Sequence, residues 1–176
     1  RLLGLGAARL LFRRGRAEVG VAEQDQALRG EVRRGVPAHH DAQLRLAEPV
    51  GVRIAAEVIP NDLSSSTALV AMLERDFDGS SAGICLDFGH AHLMGDVADA
   101  VETAAEHIIA THVHDNHGRE DEHLVPYRGS IDWDQALVTM QKIGYEGTYL
   151  LELASTGDAA SVLEEARRAR ERFERT

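Results

Sequence analysis

The chain has 176 residues, of which 44% are apolar, enough for one hydrophobic core and the ordinary makeup of a water-soluble domain. Nineteen Lys and Arg stand against 29 Asp and Glu, a net charge of −10, which argues against a general nucleic-acid surface or an anionic-membrane surface. No stretch approaches the ~18 to 20 apolar residues of a membrane span and no charged-then-apolar leader is visible, so the cytoplasm is the expected location.

The first 50 residues carry little periodic signal. Leu5 to Phe12 reads as one short strand, 13–37 as irregular or weakly helical, and Ala38 to Pro49 as a helix leading into the first strong strand. From about residue 50, strands and helices alternate. The pattern predicts strands over Val50–Ile59, Ala82–Asp87, His107–His114 and Gly147–Leu153, all apolar or β-branched as buried parallel strands are. Between them it predicts helices over Ala68–Phe77 behind a Ser64–Thr67 cap region, Val97–Glu106 behind Asp96, and Trp133–Ile143 behind Asp132. The last of these is closed by Gly144, and a long C-terminal helix opens at Asp158.

Each strong strand ends in a residue that favours divalent metals: Glu57, Asp87, His112 and Glu152. These markers recur at intervals of 30, 25 and 40 residues, close to the ~30 of a βαβ unit. Right-handed crossovers then place all four strand ends on one side of a parallel sheet, the catalytic side of an α/β barrel. A mixed carboxylate and imidazole set suits zinc, manganese or a similar ion if it converges. An ionised carboxylate is costly to bury unpaired, so four such strand-end positions in register, three carboxylates and one imidazole, favour a metal site over four unrelated caps.

His90 reaches the same pocket as Asp87 only where the strand breaks through Gly89, read as a turn. His112 and His114, two apart on a strand, share one face. Asp121 and His123 form a second two-residue claw in a polar loop. His92 is a candidate pocket residue by its nearness to His90, whereas His39, His40, His107 and His117 read as solvated or structural. Trp133 reads as the anchor of its helix, Cys85 as a small core hydrophobe, and Arg119 as a loop cation able to meet a substrate hydroxyl or phosphate.

Together, Ala55-Ala-Glu57-Val-Ile-Pro60-Asn61-Asp62, Cys85-Leu-Asp87-Phe-Gly-His90-Ala91-His92, His112-Val-His114-Asp115-Asn116, Asp121-Glu-His123, Gly129-Ser-Ile-Asp-Trp133, and Gly144-Tyr-Glu-Gly147 with Glu152 resemble the xylose-isomerase-like barrel superfamily. That group holds sugar-phosphate isomerases and epimerases, inosose dehydratases and the endonuclease IV type of apurinic endonuclease. The resemblance covers 38–175, leaving 1–37 poorly defined within one barrel domain spanning 1–176.

The resemblance implies a (β/α)8 TIM barrel with one divalent ion on Glu57, Asp87, His112 and Glu152, manganese or zinc first, cobalt or magnesium next. It implies Glu57 and Glu152 as the acid/base pair of a sugar or sugar-phosphate isomerase or epimerase. His90 and Arg119 then meet the substrate, and His90, Asp121 and His123 are the set that holds an extra zinc in the endonucleases. The alternatives are a zinc phosphodiesterase acting on abasic DNA and a truncated, non-catalytic barrel.

Three departures stand out. At ~250 residues a full barrel is longer than this chain, so the N-terminal β/α units are expected to be missing. Phe12-Arg13-Arg14 stands where relatives often carry a His, Val58 where an Asn is frequent, and Tyr127-Arg128 where Gly-Glu is frequent. An open half barrel exposes strand edges, which a second copy of the chain would be one way to cover.

Overall fold

The computed structural model describes residues 7–11, 20–21, 49, 51–77, 82–154 and 158–176, with 7–11 and 20–21 described by their strand pairing alone. His39, His40, Phe12-Arg13-Arg14 and the expected Ala38–Pro49 helix, apart from Pro49, lie outside the described residues.

Among the described residues, six strands form one sheet: β1 (Ala7–Leu11), β2 (Gly20–Val21), β3 (Ile54–Glu57), β4 (Ala82–Asp87), β5 (Ile108–Val113) and β6 (Leu150–Ala154). Their spatial order is β1-β6-β5-β4-β3-β2. Strands β2 to β6 pair in parallel, joined from β3 onward by helical crossovers, which is the incomplete (β/α)8 barrel that the alternation predicts. Strand β1 departs from it. It lies antiparallel to β6, with Arg9 opposite Glu152, whereas every strand of a barrel is parallel. Its presence between Leu5 and Phe12 follows the sequence; its direction is a tertiary outcome no local pattern records.

The helices are α1 (Ser66–Asp76), α2 (Phe88–Met94), α3 (Val97–Ala104), α4 (Trp133–Lys142) and α5 (Ala159–Phe173). Ser65, Asp87, Asp96, Asp132 and Asp158 cap them in turn, each side chain accepting from a backbone N–H of the first turn. Four of these caps are as the sequence predicts. The fifth, Asp87, corrects it: the chain passes from β4 straight into α2, not into a loop. Gly144, at φ 74°, closes α4 in the left-handed conformation glycine favours, and the Tyr145 N–H donates back to the Met140 carbonyl.

Strand bounds are shorter than predicted at three places. The first strong strand covers Ile54–Glu57 only, the next-to-last begins at Ile108 because 105–107 forms a 3-10 turn, and the last begins at Leu150. One face of the sheet carries Ile84, Leu86, Val113, Leu151 and Leu153, packed with Leu69, Leu73, Val101, Trp133 and Met140 of the helices. Trp133 is buried at the centre of this layer, as predicted for a helix anchor. The other face carries the small residues Ala55, Cys85 and Ala110.

Candidate metal centre

Strand register explains why four distant residues meet. Glu57 is paired with Cys85, Asp87 follows Cys85 by two, Asp87 is paired with His112, and His112 with Leu150, two before Glu152. Paired residues of parallel strands share a face, as do residues two apart, so all four project from the small-residue face. A register shift between Ile84 and Cys85 keeps this phase: Ile84 pairs with Ile108 but Cys85 pairs with Ala110. Ile109 is the extra residue, and the bulge lets Ile108 face the helices while Ala110 and His112 face the site.

One donor atom from each of Glu57, Asp87, His112 and Glu152 lies within 4.8 Å of every other. His112 Nδ1 is the hub, 3.0 Å from Glu57 Oε1, 3.1 Å from Glu152 Oε2 and 3.7 Å from Asp87 Oδ2. Three carboxylates around one imidazole leave excess negative charge in a half-closed space. Burial opposes protonation of His112, yet the hydrogen bond and charge of Glu57, with Asp87 and Glu152, raise its pKa. Cys85, beneath the cluster, is pushed well above the usual thiol range by burial and then by the same three carboxylates, which agrees with its reading as an inert core residue.

A second cluster adjoins the first: His90, His114, Asp121 and His123, again with donor atoms within 4.8 Å of one another. His90 Nε2 and His123 Nε2 lie 3.2 and 3.1 Å from Asp121 Oδ2. The opposite nitrogens are held by backbone carbonyls, His90 Nδ1 at 2.9 Å from Val58 O and His123 Nδ1 at 3.0 Å from Glu152 O. In each ring the N–H can then sit on Nδ1, turning a lone pair toward the cluster, the arrangement that orients metal-binding histidines. Burial works against a charged His90, but the Asp121 hydrogen bond and the charges of Asp87, Asp121 and Glu57 push it up to about 9. Asp121 is held well below the usual carboxylate range: partial burial is outweighed by its bonds to His123 and His90.

Local structure fixes the second cluster as firmly as the first. His123 adopts a left-handed φ of 49°, uncommon for a side-chain-bearing residue, and the Ala154 N–H donates to its carbonyl. The loop is tied at Asp115, wholly buried, whose carboxylate accepts from the N–H groups of Asn116, Tyr127 and Ile131 and from Trp133 Nε1 at 2.8 Å. Asn116 donates to the Gly89 carbonyl at 2.8 Å and so joins loop to helix α2.

The sequence reading named Glu57, Asp87, His90, His112, Asp121, His123 and Glu152, and the structure brings all seven together. It missed His114 as a member of the second cluster and Asp115 as the loop's anchor. The signal for His114 was there, since it shares a face with His112. Gly89 was misread: it lies inside α2, and a Cβ there would collide with Cε1 and Nδ1 of His114, so the glycine serves close approach rather than a turn. Arg119 is exposed and belongs to neither cluster. His92 lies 2.9 Å from Ser130 Oγ, His107 is 3.8 Å from Glu74, and exposed His117 pairs with Glu122, all away from both clusters.

The family model described as the xylose isomerase-like TIM barrel matches residues 5–175. The chain belongs to this family. The match begins well before residue 38, where the recognisable motifs start. Among curated relatives of this xylose isomerase-like chain, the uncharacterized protein MJ1311 of Methanocaldococcus jannaschii is 34% identical over 122 residues, 66% of this chain and 42% of its own length. An inosose isomerase of Bacillus licheniformis is 29% identical over 121 residues, 61% and 42% respectively. Among solved structures, a D-tagatose 3-epimerase-like protein is 29% identical, with a TM-score of 0.67 over 79% of this chain and 54% of that one. The IolI protein with a bound zinc atom, at 21% identity, shares the fold, with a TM-score of 0.58 over 88% and 61%. The chain therefore spans about half the length of the relatives it matches.

Proposed function

We propose that this chain carries the metal-holding half of a divalent-metal-dependent sugar or sugar-phosphate isomerase or epimerase. The observation that supports it most is the convergence of Glu57, Asp87, His112 and Glu152, from four successive strands, on one point. The donor set fits a divalent ion: three carboxylate oxygens and one imidazole nitrogen, with the His112 pKa raised, against its burial, by Glu57, Asp87 and Glu152. Manganese and zinc are the first candidates, cobalt and magnesium the next; the zinc atom named for the IolI relative and the sugar names of the tagatose 3-epimerase-like and inosose isomerase relatives agree with this reading.

When bound, the ion would supply Lewis acidity toward the substrate oxygens beside the carbon that loses its proton. Glu57 and Glu152, from strands to either side of that of His112, are the proposed acid/base pair, one carboxylate removing the proton and the other returning it on the opposite face. His90, 3.7 Å from Glu57 Oε1, is the proposed contact for a substrate hydroxyl, and the exposed Arg119 that for a phosphate or hydroxyl.

The test is deuterium wash-in from heavy water at the carbon beside the carbonyl, across a panel of ketoses and ketose phosphates. Label incorporated by the full chain with metal, and lost in Glu57→Gln, is expected. Unchanged incorporation in that variant overturns the assignment.

The second cluster favours one other reading, a zinc phosphodiesterase acting on abasic DNA, because His90, Asp121 and His123 meet there. The net charge of −10 weighs against it. Chelator-sensitive cleavage of an abasic duplex would move this reading ahead of the first. Absence of both activities with metal bound would favour a non-catalytic barrel.

A further inference from the structure

Asp87 is the most deeply buried member of the first cluster. Its carboxylate caps helix α2, with Oδ1 accepting from the His90 N–H at 2.7 Å. A second donor reaches the same carboxylate from β5: the wholly buried His114, whose Nε2 lies 3.0 Å from Oδ1 and 3.2 Å from Oδ2. An ionised carboxylate only accepts, so an N–H of the ring belongs on Nε2. The opposite nitrogen, Nδ1, is buried without a hydrogen-bond partner among the described residues, which leaves Asp87 as the ring's one hydrogen-bonding contact there.

The ring is confined by its neighbours. Helix α2 passes so close at Gly89 that a Cβ there would collide with its Cε1 and Nδ1. The His123 ring is stacked on it, 3.9 Å between centroids and 15° between planes, and the His90 ring meets it edge-on at 5.4 Å. The Nε2–H therefore has a fixed direction. With Oδ1 held by donors at 2.7 and 3.0 Å, Oδ2 is the oxygen that approaches the rest of the cluster, 3.7 Å from His112 Nδ1.

We propose that His114 is a positioning residue of the first cluster: it holds the buried Asp87 carboxylate in the orientation that presents Oδ2 to a divalent ion. Outer hydrogen bonds of this kind fix the direction of a metal-binding carboxylate, and their loss weakens binding. A carboxylate confined to one oxygen suits zinc, which takes few ligands, better than calcium, which takes about six to eight oxygens and often both of one carboxylate. The inference rests on the metal reading of the first cluster and not on its sugar chemistry.

The test compares His114→Leu, which removes the donor, with His114→Gln, whose amide nitrogen can stand where Nε2 stands. Zinc and calcium affinities of the metal-free full chain are measured by calorimetry for the wild type and both variants, with Glu152→Ala identifying the ion of the first cluster. In His114→Leu, zinc affinity at that site is expected to fall about ten- to a hundred-fold and calcium affinity by less, so the ratio of the two narrows. In His114→Gln, zinc affinity is expected to return to within a few-fold of the wild type. A fold merely loosened by substitution would weaken both ions alike and would not be rescued by the amide.

Wild-type zinc affinity in His114→Leu, equal losses for zinc and calcium, or equal zinc losses in the two variants would overturn the positioning role. So would a His114 ring whose ¹⁵N resonances, in the metal-free wild type, place its N–H on Nδ1 alone. That readout needs neither an ion nor a variant, and it decides if His114→Leu does not fold as judged by circular dichroism. A wild type holding no ion that Glu152→Ala loses would overturn the metal reading and this role with it, whereas an ion bound as expected but indifferent to His114 would overturn this role alone. Turnover is read separately, so failure of the sugar reading leaves the result distinct.

Discussion

On the helix-covered face of the sheet, Ile84, Leu86, Val113, Leu151 and Leu153 are buried among Leu69, Leu73, Val101, Trp133 and Met140. On the opposite face the same strands carry Ala55, Cys85 and Ala110, leading up to Glu57, Asp87, His112 and Glu152. The first face gains stability from each residue it buries. The second gathers three carboxylates round one imidazole, an arrangement that costs stability until a cation enters. Strands with a side-chain period of two allow this division, so each strand serves both faces without compromise.

That comparison is most strongly tested at the carboxylates. Glu57→Gln is expected to lower turnover by about 10²- to 10⁴-fold, measured as deuterium wash-in, while leaving the unfolding midpoint in denaturant nearly unchanged. On the other face, Leu86→Ala should do the reverse. It is expected to cost about 2–5 kcal/mol in denaturant unfolding and leave the number of bound ions as in the wild type. A stable Leu86→Ala protein that had lost its metal would show the two faces to be coupled through the strand.

Gly89→Ala probes the boundary between them. The added methyl meets the His114 ring, so a loss of about 1–3 kcal/mol by thermal or denaturant unfolding is expected together with weaker binding at the second cluster. Unchanged stability would mean that the His114 ring is free to move aside.

The smallest expected effect is a pH dependence of the metal-free protein. His90 is pushed up to about 9 from an ordinary 6.5, so folding draws a proton onto it. Its contribution is fully present below about pH 6.5 and is lost as the pH rises through 9. His112 and His123 are displaced in the same direction. The unfolding temperature in chelator should therefore fall across that window, and His90→Gln should flatten the slope.

Much of this architecture was legible because it is local or periodic. The apolar runs and their terminal donors marked β3 to β6, and Asp or Ser before amphipathic stretches marked four caps. What was hidden depends on contacts across the chain. Helix α2 has seven residues, too few for a helical period to emerge from Phe88-Gly-His90-Ala-His92. The antiparallel direction of β1 is set by its partner β6, not by Ala7–Leu11. Asp115 looked like one more loop carboxylate until four donors, from Asn116 to Trp133, were found on it. Arg119, a cation in a loop, is exposed and belongs to neither cluster, so no contact within the fold assigns it a role.

The central claim, that four strand ends form one divalent-metal site, is most directly tested by elemental analysis of the purified wild type beside Glu152→Ala, with unfolding in chelator recorded on both. The account predicts that the variant loses the ion of the first cluster. It also predicts an unfolding midpoint in chelator equal to or above that of the wild type, because one of three crowded carboxylates is gone. A variant that keeps the full wild-type complement of ions would contradict it.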